Sequence, residues 1–131
     1  MLDEAENLPI LAERLVQALE ALGRSYEVIV VDDGSRDESF AILRALAEHN
    51  PQLRAVRLRR NFGQTAAFSA GFDRARGQVV VTLDADLQND PNDIGMLLAK
   101  LDEGYDVVSG WRSRARMRFS TGGCRRSSPT A

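Results

Sequence analysis

The sequence predicts an α/β fold, a mostly parallel sheet with helices on both faces. Segments with a 3.6-residue apolar period alternate with short β-branched runs along most of the chain. Those runs are apolar throughout, as strands covered on both sides are. Polar clusters also follow the runs: Asp32-Asp33, Arg59-Arg60 and the pair Asp84 and Asp86 each stand just past a strand. Right-handed crossovers bring the carboxyl ends of parallel strands to one rim, where ligands bind in such sheets.

Leu8, Leu11, Leu15, Leu19 and Leu22 recur at helical spacing, and Ala12, Val16 and Ala18 widen the stripe into a first helix. Tyr26–Val31 (YEVIVV) reads as a buried strand ending at Asp32-Asp33-Gly34. Ser35 and Glu38 have capping-box spacing ahead of a helix carrying Phe40, Leu43, Leu46 and Ala47. Leu53–Leu58 is a less regular strand, and Gln64–Arg76 an alanine-rich helix stopped by Gly77. Val79–Leu83 (VVVTL) reads as a buried strand running into the two aspartates. Asp90-Pro91 opens another helix, with proline at its first position, ending near Gly104; Tyr105–Ser109 (YDVVS) is a last short strand. Beyond Trp111-Arg112 no period is sustained, and a basic, unstructured tail is expected over 113–131. The body of the domain is thus 1–112.

At 131 residues, 44% hydrophobic and 27% charged, the chain suits one globular domain rather than a disordered one. No apolar run approaches the roughly 18 residues that cross a bilayer, so no transmembrane helix is expected in it. A single cysteine, Cys124, allows no internal disulfide and fits a reducing, cytoplasmic compartment; neither it nor the lone His49 has a metal-ligand pattern. Residues 1–111 carry 11 Lys and Arg against 19 Asp and Glu, and residues 112–131 carry six arginines and no acid. That end reads either as a solvated tail or as a contact for phosphates or an anionic membrane surface. Nucleic acid is not expected as a partner.

Asp84 and Asp86 raise the main chemical question, because adjacent carboxylates at a strand end repel unless a cation lies between them. Strand alternation would send both to one side with Ala85 facing away, and Gln88 would add a neutral oxygen. Such hard oxygen donors suit Mg²⁺ or Mn²⁺ completed by water and substrate phosphates. Helix capping is the alternative duty, although Asn89 and Asp90 are better placed for it. Asp32-Asp33-Gly34-Ser35 is either turn chemistry or an acid for a nucleobase edge or ribose hydroxyl. Arg59-Arg60-Asn61-Phe62-Gly63-Gln64 reads as plain surface or as a phosphate or sugar contact at a helix start. Arg112 is a further cation at a strand end, suited to a diphosphate. Neither G-x-G-x-x-G nor a Walker lysine loop is present.

Taken together, several motifs resemble family 2 glycosyltransferases: E-x-x-N-L (Glu4 to Leu8), V-x-V-V-D-D-G-S (Val28 to Ser35), R-N-F-G-Q-T-A-A-x-x-A-G-F-x-x-A-x-G (Arg60 to Gly77), L-D-A-D-L-Q-x-x-P (Leu83 to Pro91) and V-V-S-G-W-R (Val107 to Arg112). More narrowly they are similar to the dolichol- and polyprenyl-phosphate sugar transferases. The resemblance implies a GT-A-like, Rossmann-type sandwich, a UDP- or GDP-linked nucleotide sugar, Mg²⁺ or Mn²⁺, and inversion at the anomeric carbon. It also implies a polyprenyl-phosphate acceptor (dolichyl or undecaprenyl) at the cytoplasmic face of a membrane. By position, Asp84, Asp86 and Gln88 resemble the metal and diphosphate site, with Asp84 and Asp86 catalytic. Asp33 resembles the acid that recognises the base, with Asp32 beside it. Glu4 resembles a nucleotide contact and Arg112 a phosphate-binding arginine, while Arg60 is a candidate contact only on the helix-start reading above.

The same resemblance implies an apolar first strand ahead of Met1 and further core after Arg112, so the chain is expected to be a fragment with its first strand missing. A non-catalytic nucleotide-sugar-binding fragment, or an inactive remnant, is therefore the alternative function. A phosphoaspartyl enzyme is disfavoured, since the only lysine, Lys100, sits inside a helix.

Overall fold

The computed structural model describes residues 1–112 and 117–120, in two units, Met1–Pro91 and Asn92–Ala131. The first contains α1 (Leu8–Ala21), β1 (Val28–Asp32), α2 (Ser39–His49), β2 (Leu53–Arg57) and α3 (Gln64–Phe72). Helix α1 forms where the leucine period predicts it, with proline in its first turn, where a missing N–H costs nothing, and buries Leu8, Leu11, Ala12 and Ala18. Strands β1 and β2 pair in parallel, in a register that sets Val28 opposite Leu53 and Asp32 opposite Arg57.

The two-residue alternation of β1 explains how this small sheet is covered. Val28 and Val30 pack with Leu53 and Ala55 against a core of Leu8, Ala12 and Leu43 from α1 and α2. Val31 points the other way, toward α3, where a Cβ on Gly71 would lie 3.5 Å from its methyl carbon. Glu27 has the same parity as Val31 and accepts from the Arg76 backbone N–H at 2.6 Å and from Arg54 at 3.1 Å. Helices thus lie on both faces, as the apolar runs predicted.

The third strand expected in this sheet, Val79–Leu83, is not a strand. Val79, Val80 and Val81 are 44%, 50% and 37% exposed. A buried parallel strand exists only through a ladder, and the run joins neither edge of the β1–β2 pair. Among the described residues the second edge of β1 is used at its end alone. There the Met1 amino group donates to the Val31 carbonyl at 2.7 Å, and Asp33 N–H to the Met1 carbonyl at 2.9 Å.

Other boundaries also move. Helix α2 begins at Ser39 without a side-chain cap from Glu38, so the Ser35/Glu38 capping box is not formed. Instead Asp37 accepts from the Ser39 backbone N–H at 2.9 Å. The Ser39 hydroxyl and amide hold the Asp37 carboxyl below its usual range. Helix α3 stops at Phe72 rather than Arg76.

In the second unit, α4 (Asp93–Asp102) precedes an antiparallel pair, β3 (Ser109–Arg112) and β4 (Met117–Ser120). The strand expected over Tyr105–Ser109 thus begins only at Ser109, because pairing with β4 selects the segment that is extended. Of the stretch expected as a tail, residues 113–116 and 121–131 lie outside the described residues, and Met117–Ser120 is β4. Among the described residues no helix is long and apolar enough to cross a membrane.

Two outcomes follow. Leu43 is fully buried in the α1–α2–sheet core, so Leu43→Ala should cost about 2–5 kcal/mol in urea-unfolding free energy. The Arg76 backbone N–H, with Arg54, lowers the Glu27 pKa below the usual carboxylate value. Its stabilisation is therefore present above the unfolded carboxylate pKa and lost as pH falls through the lowered folded one. Glu27→Gln should flatten that acid limb in melting temperature against pH.

Candidate functional site

The end of β1 sends its two acids to opposite faces. Asp32, at 0% exposure, shares the α2 face with Val28 and Val30. Its Oδ1 accepts from the Ser35 hydroxyl, and from Ser35 N–H at 3.2 Å. Among the described residues its Oδ2 has no hydrogen bond, and Arg57 Nε lies 3.5 Å away as a loose counter-charge. Arg57 in turn stacks over the Phe40 ring at 4.7 Å. Asp32, a candidate nucleotide contact by sequence, thus also holds a buried turn.

Asp33, 6% exposed, faces the start of α3. Its Oδ1 accepts from Phe62 N–H at 2.8 Å and its Oδ2 from Gly63 N–H at 3.0 Å. One carboxylate thereby grips the backbone that enters a helix, neutralising donors that have no intrahelical partner. Gly34 makes the approach possible: with φ at +76°, a Cβ there would lie 2.4 Å from Arg60 C and 2.6 Å from Asn61 N.

The loop ahead of α1 closes on the same turn. Asp3 N–H donates to Ser35 Oγ and Glu4 N–H to Ser39 Oγ, both at 2.9 Å. Asp3 Oδ1 accepts from Arg36 N–H at 3.0 Å. The half-buried Glu4 side chain accepts from Asn7 Nδ2 at 2.7 Å, which ties its carboxylate to the start of α1. Arg60 lies past β2 with its guanidinium 4.7 Å above the exposed Phe62 ring, a cation displayed on an aromatic face.

Asp84 and Asp86 leave a segment without regular structure, so strand alternation does not place them. Asp84 is exposed and its Oδ1 accepts from Gln64 Nε2 at 3.2 Å. That bond ties it to α3 and hence to the Asp33 grip. Asp86 is half-buried and accepts from Gln88 N–H at 3.0 Å, closing a turn in which Leu87 has φ +62°. A branched aliphatic residue in the left-handed region is strained, a feature that clusters at functional sites.

Among the described residues neither aspartate pairs with an arginine or lysine, and no three His, Cys, Asp or Glu side chains gather as a metal site. The donor set fits a hard divalent ion of the Mg²⁺ kind, which needs only one or two carboxylates when phosphate oxygens and water supply the rest. Arg112 is the last residue of β3 in the second unit, and its side chain lies outside the described part.

Sequence reasoning saw Gln64 and Ser35 only as members of their motifs; it missed the hydrogen bonds they make, and Ser39 altogether. Gln64 stands inside a quoted motif, but nothing in one dimension names its partner 20 residues away.

A family model described as "Glycosyl transferase family 2" matches residues 4–123. An undecaprenyl-phosphate 4-deoxy-4-formamido-L-arabinose transferase from Enterobacter sp. (strain 638) is 52% identical over 107 residues, covering 81% of this chain and 33% of that protein. The protein of the same name from Pseudomonas paraeruginosa (strain DSM 24068 / PA7) is 48% identical over 115 residues, 87% of this chain and 34% of that one. The chain spans about a third of the length of these relatives, and the resemblance seen in the motifs is thereby borne out.

Gly34→Ala should destabilise the chain by roughly 2 kcal/mol or more, because the methyl meets backbone rather than a movable side chain. Gly23→Ala is the control: φ is +64°, but nothing lies within 4 Å, so only the left-handed penalty of about 1 kcal/mol applies. Equal losses in chemical denaturation would contradict the close approach.

Proposed function

The chain belongs to glycosyl transferase family 2, and from that premise we propose that it is the donor-binding part of a metal-dependent, inverting sugar transferase with a GT-A-type sandwich. The donor is a UDP- or GDP-linked sugar, and the acceptor a polyprenyl phosphate at the cytoplasmic face of a membrane. The names of the two relatives support that acceptor class. They also make a nucleotide-linked 4-deoxy-4-formamido-L-arabinose the first donor to try.

The observation that carries this reading is the Asp84–Asp86 pair. Neither carboxylate has a basic partner among the described residues, and Gln64 ties Asp84 to the helix start that Asp33 holds. Asp84, Asp86 and the Gln88 oxygen would hold Mg²⁺ or Mn²⁺. A divalent ion there supplies positive charge to a departing nucleoside diphosphate, with no proton donor needed. Glu4 and the remaining lone pairs of Asp33 would serve the nucleoside, and Arg60 would offer a cation to phosphate or sugar oxygens. An acceptor phosphate monoester, with a second pKa of about 6, is already ionised at neutral pH. A dedicated general base is then unnecessary.

Nucleotide-sugar binding without turnover is the second reading. Calorimetric titration of UDP- and GDP-sugars with and without Mn²⁺ tests both readings. We expect metal-dependent binding of one nucleotide class, weakened at least tenfold by Asp84→Ala or Asp86→Ala. Sugar transfer to undecaprenyl phosphate then selects the first reading, and binding alone the second. Binding indifferent to both metal and substitutions overturns the metal site.

A further inference from the structure

We infer that Gln64 is a positioning residue whose side-chain amide aims the Asp84 carboxylate at the metal. This rests on the metal-site reading above.

Three observations lead there. Gln64 Nε2 donates to Asp84 Oδ1 at 3.2 Å, joining elements 20 residues apart in sequence. Gln64 is also the first residue of α3, and the backbone just before it is held by both oxygens of the buried Asp33. Its starting point is therefore fixed relative to the end of β1. Asp84, by contrast, follows an exposed run that joins no ladder, so its own backbone gives the carboxylate little orientation.

The chemistry of the amide suits the task. An exposed aspartate samples several rotamers, and a ligand that must be ordered on binding weakens affinity. A hydrogen bond to one oxygen restrains the group and leaves the other oxygen to face a cation. Gln is neutral, so it orients without cancelling the charge that attracts the ion. Lys or Arg at the same place would compete with the metal. Packing does not account for Gln64, because the residue is exposed at a helix start.

The test is Mn²⁺ binding to the full chain in saturating UDP or GDP, read from the electron paramagnetic resonance of free and bound Mn²⁺. Gln64→Leu removes the donor, and Gln64→Asn keeps an amide that is one methylene too short. Both should weaken Mn²⁺ roughly tenfold or more, the usual cost of losing a residue that orients a ligand. Melting temperature and metal-free nucleotide affinity should stay unchanged. In an Asp84→Ala background, Gln64→Leu should cost nothing further, since the two act through one carboxylate. Unchanged Mn²⁺ affinity in both single variants, or an equal loss in the Asp84→Ala background, overturns the inference alone. If the unsubstituted chain binds no Mn²⁺ with either nucleotide, the metal-site reading falls and the role of Gln64 with it.

Discussion

The grip of the Asp33 carboxylate on two backbone N–H groups is the interaction on which the arrangement of this rim depends. It joins the end of β1 to the start of α3, Phe62 at 2.8 Å and Gly63 at 3.0 Å. Charge-assisted bonds of this kind are roughly twice as strong as neutral ones. Burial to 6% exposure keeps water from competing for either oxygen. Remove it and α3 loses its anchor, Gln64 its starting point and Asp84 its only described link to the sheet.

Strand alternation makes that grip possible and gives the neighbouring acid a different task. Asp32 shares the parity of Val28 and Val30, so it turns toward α2, where Ser35 folds back onto it. Asp33, one residue later, turns toward α3. Two consecutive acids are more than one turn needs, and the reason is that they serve two faces. The left-handed Gly34 between them and Ser35 lets the Arg60–Asn61 backbone approach closer than any Cβ would permit. Ser35 and Ser39 then take backbone N–H groups from Asp3 and Glu4, which brings a third segment to the same turn.

The aspartates at 84 and 86 sit differently from the acids of β1. Each is engaged by a neutral donor, Gln64 Nε2 and Gln88 N–H respectively. A neutral donor orients a carboxylate without setting a cation against it, which is what the proposed divalent-ion site asks of the pair. Leu87, held at φ +62° beside them, marks the turn as one whose shape is imposed by its surroundings rather than by local preference.

Helix period, β-branched runs and the D-D-G-S and D-A-D-L-Q strings were legible because they are local. A 3.6-residue stripe needs a covering partner whatever that partner is, and glycine after two acids needs a turn. By those signals the chain alone determined α1, β1, α2 and β2 to within a few residues, the parallel pairing, the two covered faces and the family. Whether Val79–Leu83 joins a ladder depends on an edge elsewhere in space, and the apolar run could not reveal that. Where β3 begins was likewise decided by its partner, Met117–Ser120. Tertiary structure alone decided the division of labour between Asp32 and Asp33 and the meeting of Gln64 with Asp84. Hydrogen bonds across 20 or 30 residues obey distance in folded space, which sequence spacing does not encode.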